Sequence, residues 1–450
     1  MANNRLTYIL LASALLAASC SQEEVNPGST QKGRIEFSAS LPEVASRATE
    51  LTAGSLDDLT VSSFIVGASS ESTYFLDKIF SRNATTGTFF SYDPACIWPN
   101  NNDLVRFVAF APSCDEMRQA GAFADTDFTS DVAEDGAYKL SKVKVAADIA
   151  DQFDFVTAIG SGKLWDNEET PVKLQFHHQF SRVELNAWGA SKSYNLQIAG
   201  VRIGGVATEG VFSFVAQPDA DDASVAGVWE SVSKGCVEYV YRSGDRIVTL
   251  DNSDSAPVSA VSILGSQVGG DNAYDNSAML IPFNNVQWDY KDNGANGETH
   301  VDGMYFSVLM RVTDITPYAP EDNPLVYPYP EGSAAAEDME VIYLAVDNEG
   351  VVKTRLYKND GRYFTDESYD EEYTEDAQVM AFGWAALPVA DVWKPGYVYT
   401  YTLDYTNGVG LHDPHDSNPG NPIISDKVLI NVGVTEWITT DNKDISVPRK

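Results

Sequence analysis

Basic residues are scarce in this chain of 450 residues. It carries 30 Lys and Arg against 65 Asp and Glu, so its formal net charge is −35. A surface this acidic repels the phosphates of nucleic acids and of anionic lipid headgroups. The composition therefore excludes a nucleic-acid partner and charge-driven binding to a membrane, and it favours an acidic protein body that faces water outside the cell.

Cysteine is also rare, with four residues in the chain. Cys20 lies in the N-terminal apolar segment, which leaves Cys96, Cys114 and Cys236. Three cysteines cannot pair completely, and none has C-x-x-C spacing, so the sequence indicates neither a disulfide framework nor a zinc site. A Cys96–Cys114 disulfide and three free thiols both remain open.

Sequence patterns typical of enzymes are missing. The chain has no G-x-S-x-G, H-E-x-x-H or P-loop pattern. Of its five histidines, His177 and His178 are neighbours in a predicted strand and point to opposite faces, so they cannot share a site. His412 and His415 flank Pro414, which places them in a loop and not on one helix face. We predict no catalytic residue, no metal and no cofactor, and hence a binding or structural protein that is not an enzyme.

Long amphipathic helices are absent too, and short strand patterns take their place. One short helix is predicted at Asp115–Ala120. A stripe of period two, typical of a half-buried strand, contains Tyr397, Tyr399, Tyr401, Leu403 and Tyr405. Many such segments separated by Gly, Pro, Asn and Asp predict an all-β fold of β-sandwiches. Further strands are predicted at Leu59–Gly67, Leu104–Ala111, Asp154–Ile159, Arg246–Leu250, Ala278–Phe283, Tyr305–Val312, Glu340–Val346, Gln378–Trp384 and Val428–Val434.

Two segments in the middle of the chain have a more complex pattern. In Leu174–Ala187 the apolar phase switches past Ser181, which predicts one strand with a β-bulge. Two strands are predicted at Tyr194–Gly205 and Val211–Phe214, and the residues between them are predicted to form a turn.

The first 20 residues resemble a bacterial lipoprotein signal. Arg5 precedes the apolar run Leu6–Ser19, which is too short to span a membrane and ends in small residues before Cys20. We predict that Cys20 is lipidated and anchors the chain to the outer membrane; secretory cleavage without a lipid is the alternative. The acidic run Ser21–Glu24 resembles the surface-export signal of Bacteroidetes lipoproteins.

Ile35–Thr49 combines a strand with a candidate cleavage site. Ile35, Phe37, Ala39 and Leu41, here called the plug residues, share one face of the predicted strand. After Pro42, Arg47 stands among small residues and precedes Ala48, a context that suits an Arg-specific protease. The strand is therefore predicted to be removable, although a plain N-terminal linker with a solvated arginine fits the same residues.

The chain resembles the fimbrillin family of Bacteroidales type V pilins. The resemblance rests on the order and spacing of several motifs along most of the chain. They are Leu16–Cys20, Ile35–Leu41 with Ser46–Thr49, Ile97–Pro99, Phe107–Pro112, Asp154–Ala158, Phe176–Val183, Ala278–Pro282, Lys394–Gly396 with Tyr399–Leu403, and Val432–Trp437.

This resemblance implies two transthyretin-like Greek-key β-sandwich domains and a maturation path. The expected organisation is a signal peptide at 1–20, a propeptide at 21–47, an N-terminal domain at 48–205 and a C-terminal domain at 206–450. A surface protease would cut after Arg47 and make Ala48 the mature N-terminus. Loss of the plug residues would open a groove, and a donor strand from another pilin subunit would fill it by β-augmentation.

The resemblance also implies a position for the subunit in a fimbria, which depends on whether it can donate a strand. Ile445 and Val447 alternate as a donor strand would, but the segment is short and Pro448 interrupts it. A short donor favours an accessory or tip pilin, located on the outer membrane before processing and in the fimbrium afterwards, with a host or bacterial surface receptor as a further partner. The alternative is a surface-exposed glycan-binding lipoprotein that uses aromatics near Tyr318–Tyr329. A sandwich-fold glycoside hydrolase would need two facing carboxylates.

Overall fold

The computed structural model describes most of the chain. It covers residues 33–41, 51, 54–67, 71–92, 94–119, 129–132, 137–215, 226–250, 260–265, 277–291, 303–316, 324–330, 333, 339–416, 418–424 and 427–436. Within these ranges no helix is both long enough and apolar enough to cross a membrane.

The first part of the described chain forms ten strands and three short helices. The helices are α1 (Cys114–Gln119), a 3₁₀ turn (Ile149–Asp151) and α2 (Leu164–Asn167). The strands are β1 (Glu36–Ser40), β2 (Asp58–Val66), β3 (Glu71–Arg82), β4 (Phe89–Phe90), β5 (Val105–Ala111), β6 (Thr129–Val132), β7 (Tyr138–Lys144), β8 (Val156–Gly162), β9 (Val172–Gln175) and β10 (His177–His178).

The remaining part consists of strands and connecting turns. The strands are β11 (Ser181–Trp188), β12 (Tyr194–Phe214), β13 (Gly227–Val240), β14 (Val248–Thr249), β15 (Val261–Leu264), β16 (Ala278–Leu280), β17 (Asn284–Asn285), β18 (Tyr305–Asp314), β19 (Leu325–Tyr327), β20 (Val341–Val346), β21 (Val352–Asn359), β22 (Arg362–Phe364), β23 (Gln378–Pro388), β24 (Asp391–Val392), β25 (Tyr397–Asp404), β26 (Leu411–His412) and β27 (Leu429–Glu436). The prediction of an all-β fold is confirmed.

The N-terminal unit is one strongly curled sheet of eight strands. Its strand order is β10-β8-β5-β2-β3-β4-β1-β9. The central strand β5 is buried along its whole length. Phe107 and Ala109 of β5 point into the core inside the curl, whereas Val108 and Phe110 belong to the larger core on the other side. Burial on both faces explains why this segment is a continuous apolar run and not an alternating one.

The C-terminal unit is a sandwich of two sheets. One contains twelve strands, with the main order β22-β21-β20-β23-β18-β12-β7-β6, and the other has the order β15-β11-β25-β27, with β16 also paired to β11. The aromatic stripe of β25 faces the core, where the ring of Tyr401 meets that of Phe306 at 4.8 Å between centroids. Rings of this size dominate the apolar area that such a core removes from water.

Leu174–Ala187 is not the single bulged strand that its pattern predicts. The structure divides it into β9, β10 and β11, with breaks at Phe176 and at Gln179–Phe180. The first two strands belong to the N-terminal sheet, and β11 belongs to the five-stranded sheet. The switch in apolar phase thus marks the point where the chain passes from one sheet to another, because each sheet buries a different side of the backbone.

The turn predicted after Gly205 is also wrong. β12 runs without interruption for 21 residues. Where the sequence pattern suggests a turn, the structure has irregularities in the pairing of β12 with β13, after Gly204, Ala207 and Glu209. The first half of β12 pairs with β18 and the second half pairs with β7. The predicted boundary between residues 205 and 206 falls inside this strand, and the division into domains stays a prediction.

Candidate functional site

Strand β1 is inserted between two other strands of the N-terminal sheet. It pairs antiparallel with β4, with Phe37 opposite Phe89, and parallel with β9, with Phe37 opposite Val172 and Ala39 opposite Leu174. Because it has a partner on both sides, β1 fills a slot within the sheet and does not simply lie along its edge.

The plug residues differ in their depth of burial. Ile35 and Phe37 are fully buried, Leu41 is 4% exposed, and Ala39 is half-buried. The ring of Phe37 makes edge contacts with Phe80 and Phe107, at 4.9 and 5.0 Å between centroids. Full burial of one such side chain contributes about 1.5–3 kcal/mol, so Phe37 is the main anchor of the strand.

Backbone hydrogen bonds hold both ends of β1. At the start, Ile35 N–H donates to the Cys96 carbonyl at 2.9 Å, and Trp98 N–H donates to the Gly33 carbonyl at 2.7 Å. At the end, Phe176 N–H donates to the Ser40 carbonyl at 2.8 Å, which extends the pairing with β9. The whole segment from residue 33 to residue 41 is therefore anchored in the N-terminal unit.

Arg34, which precedes β1, packs against β4. Its guanidinium lies 3.7 Å from the centre of the Phe90 ring and donates through Nη2 to the Ser91 carbonyl at 2.5 Å. Burial of this group lowers the pKa of Arg34. The cation–π contact and the hydrogen bond compensate for part of the water that the charge loses.

The other wall of the slot depends on a close approach of β9 to β8. A Cβ atom at Gly160 of β8 would lie 2.8 Å from Leu174 Cδ2 and 3.2 Å from the Lys173 carbonyl oxygen. Only glycine leaves room for β9 there. Within the described part of the chain, β1 is the one strand that pairs with β9.

Leu41 and Leu51, the described residues nearest to the predicted cleavage point on its two sides, both pack in the N-terminal unit. Leu41 belongs to the core inside the curled sheet, and Leu51 packs against the same core. Leu51 N–H also donates to Asp154 Oδ2 at 3.2 Å. The same oxygen lies 2.8 Å from His178 Nδ1, and both side chains are buried.

Several predicted site residues lie outside the described residues. These are Cys20, the cleavage pair Arg47 and Ala48, and the candidate donor residues Ile445 and Val447. Lipidation, cleavage and strand donation stay predictions.

The sequence alone did not identify the residues that line the slot as functional residues. Phe80 and Phe89 are buried against the slot, but no family motif or regular period marks them. Phe107 belongs to the family motif Phe107–Pro112, but the motif does not indicate that this ring lines the slot. Pairing between β1 and distant strands decides which residues line the slot, and this information is not local in the sequence.

The aromatic segment invoked for the glycan alternative does not form an exposed platform in its described part. Tyr327 is fully buried and its hydroxyl donates to the Trp384 carbonyl at 2.5 Å. Tyr329 is half-buried and its hydroxyl lies 3.2 Å from His412 Nε2. Among the described residues no group of three or more His, Cys, Asp or Glu side chains is arranged to hold a metal ion.

Comparison with known proteins gives a match to a family. The model of the family described as Fimbrillin-like matches residues 46–285. No curated protein sequence matches the chain.

Two solved structures illustrate the similarity in three dimensions. A fimbrial protein from Bacteroides vulgatus is 11% identical with a TM-score of 0.46, and the alignment covers 89% of this chain and 99% of that one. The tip fimbrial protein Mfa3 from Porphyromonas gingivalis, with a C-terminal truncation, is 9% identical with a TM-score of 0.31, covering 90% of this chain and 99% of that one.

Proposed function

The chain belongs to the Fimbrillin-like family, and from this premise we propose that it is an accessory or tip subunit of a type V fimbria. A fimbrillin-like protein is a structural, pilin-type component of a cell-surface fimbrium and not an enzyme. In the proposed mechanism, a surface protease removes residues 21–47, and a strand from another subunit takes the place of β1.

The observation that carries the proposal is the position of β1 inside its sheet. Loss of this strand would leave β4 and β9 without their shared neighbour and would uncover the rings of Phe80 and Phe107. A slot with unpaired backbone groups on both sides and a deep apolar pocket is what a donated strand recognises: the backbone provides affinity and alternate side chains provide specificity.

The proposal also gives β1 a role before cleavage. An open slot in a secreted chain is a template for non-specific strand pairing and aggregation. A strand from the chain's own propeptide keeps the slot covered during export. Lipidation at Cys20 would hold the precursor at the outer membrane, and cleavage after Arg47 would release the mature chain from both the lipid and the plug.

An accessory or tip role is supported by the sequence of the candidate donor segment. Ile445 and Val447 are the candidate donor residues, and Pro448 removes a backbone donor directly after them. A stalk subunit must both accept and donate a long strand, whereas a tip subunit needs only the slot. A host or bacterial surface receptor is the further partner that such a position implies.

The test is cleavage of the purified precursor with an Arg-specific protease, followed by addition of a partner pilin that donates a strand. We expect N-terminal sequencing to give Ala48 and electrophoresis without boiling to give complexes with partner pilins. Arg47→Ala should resist this cleavage and stay monomeric. Arg118→Ala is the matched control, because Arg118 is exposed on α1 and has no part in the mechanism. Normal assembly of the Arg47→Ala protein would refute the proposal.

A further inference from the structure

A second group of reactive side chains lies in the C-terminal unit, away from the slot. Cys236 stands on β13 directly opposite Gly204 of β12. Its Sγ lies 3.3 Å from the hydroxyl of Tyr305 on β18. A Cβ atom at position 204 would overlap the Tyr305 ring, at 2.0 Å from its nearest atom, so glycine is what lets the tyrosine reach across β12 to the sulfur.

A histidine and a buried carboxylate complete the group. His415 and Cys236 are electrostatic neighbours, each shifting the pKa of the other, and His415 Nδ1 lies 2.7 Å from Asp413 Oδ1. The His415 backbone N–H donates to the same oxygen at 2.9 Å. Asp413 is 1% exposed, whereas half of the His415 side chain is exposed. The imidazole is thus held in place by a fixed carboxylate, and it acts electrostatically on the thiol of Cys236.

Buried contacts keep that carboxylate ionised and in place. Asp413 accepts a hydrogen bond from Ser307 and lies 3.5 Å from Nη1 of Arg202. The same guanidinium also bonds Glu238 through Nε at 3.0 Å and Glu340 through Nη2 at 2.9 Å. Burial raises the pKa of Asp413, but the bond from His415 and the charge of Arg202 outweigh it and lower this pKa.

These contacts favour the ion pair of imidazolium and thiolate. The bonds to Asp413 and Cys236 raise the pKa of His415 to about 10. Burial raises the pKa of Cys236, yet the hydrogen bonds from His415 and Tyr305 together bring it below the usual value. Tyr305 keeps its proton, because burial raises its pKa, and its hydroxyl therefore donates to the sulfur. Thiolates, and not thiols, are the nucleophiles in proteins.

The other two described cysteines have the opposite character. Cys96 and Cys114 are buried, at 8% and 5% exposure. Burial raises the pKa of Cys96 and raises that of Cys114 to about 11. Cys236 is half-buried and packs against a small apolar cluster that includes Trp288 and Tyr305. Of these three thiols, only the one at position 236 combines access with a histidine partner.

We propose that Cys236 is a thiol–disulfide exchange site for small disulfides. The Cys236 thiolate attacks one sulfur of the disulfide, a new S–S bond forms to Cys236, and the old S–S bond breaks. The second half of the disulfide leaves as a thiolate and takes a proton from water. No outside oxidant is needed, because the incoming disulfide is reduced as the protein thiol is oxidised.

The neutral aromatic disulfide 4,4′-dithiodipyridine tests this proposal on the full chain. Release of 4-thiopyridone gives the rate, and peptide mass spectrometry gives the site. We expect one fast equivalent per chain, located at Cys236, whose rate falls less than tenfold from pH 8 to pH 6. An ordinary thiol of pKa about 8.5 loses roughly 75-fold of its thiolate over the same range.

Two comparisons separate a reactive site from a merely packed cysteine. Cys236 should react faster at pH 6 in the native chain than in the urea-unfolded chain, whereas a packed cysteine reacts more slowly when folded. His415→Gln should slow the native reaction at pH 6 at least tenfold, and His177→Asn, which alters a half-buried histidine on β10, should not. A fast equivalent at Cys96 or Cys114, or a native rate below the unfolded one, would overturn the proposal.

Discussion

Phe37 determines how firmly the plug strand is held. It is the one aromatic plug residue, and its ring contacts the rings of Phe80 and Phe107. Ala39, which shares its face, is half-buried and adds little apolar area. The affinity of the slot for a strand therefore rests on the pocket that Phe37 fills, together with the burial of Ile35 and Leu41, and a donor strand must offer apolar side chains at the same register.

Phe37→Ala should destabilise the N-terminal unit of the precursor by about 3–5 kcal/mol, because it removes a fully buried ring and leaves a cavity. Urea unfolding followed by circular dichroism measures the change. Ser40→Ala is the matched control on the opposite, exposed face of β1, and it should shift stability by less than about 0.5 kcal/mol. Equal effects of the two substitutions would show that Phe37 is not the anchor.

At the scale of elements, β1 and β9 depend on each other. β9 is a strand of four residues with alternating buried and exposed side chains, and its described strand pairing is with β1. Because β9 is the last strand of its sheet, it loses its described strand partner when β1 leaves. Removal of β1 therefore affects β9 more than any other strand of the sheet.

Cleavage after Arg47 and release of the plug should speed amide hydrogen exchange in β9 and β4, which lose their hydrogen-bond partners. Exchange in β18 and β23 should stay unchanged, because these two strands pair with each other in the twelve-stranded sheet of the C-terminal unit. Hydrogen–deuterium exchange with mass spectrometry reads both regions in one sample. The Arg47→Ala protein treated with the same protease is the control, and unchanged protection of β9 after plug release would contradict this account.

At the scale of the whole molecule, two cores and a strong negative charge govern assembly. The smaller core lies inside the curled sheet that holds β1, and the larger core lies between the two sheets of the C-terminal unit and continues to the outer face of that curled sheet. Opening the slot disturbs the smaller core while the larger core supports the sheet from behind. The charge of −35 works against association with any other acidic subunit, because like charges repel.

Added salt should therefore accelerate assembly of the cleaved protein with an acidic partner pilin. The screening length falls from about 10 Å at 0.1 M salt to about 3 Å at 1 M, which weakens repulsion between acidic surfaces. Cleavage is completed and the protease inhibited before salt is added, so that only assembly is measured, as the growth of complexes on a gel. A rate that falls with salt would show that specific ion pairs, and not general repulsion, control the encounter.

The sequence by itself determined the all-β class, most strand positions and the apolar face of the plug strand, because alternation along one strand is a local property. The stripe of β25 and the apolar run of β5 are examples in which composition and period suffice. The break of Leu174–Ala187 into three strands and the unbroken course of β12 were decided by which sheet each segment joins. Tertiary structure alone placed β1 between β4 and β9 and brought His415 to Cys236, because these contacts join residues more than fifty positions apart, and pairing at that distance leaves no period in the sequence.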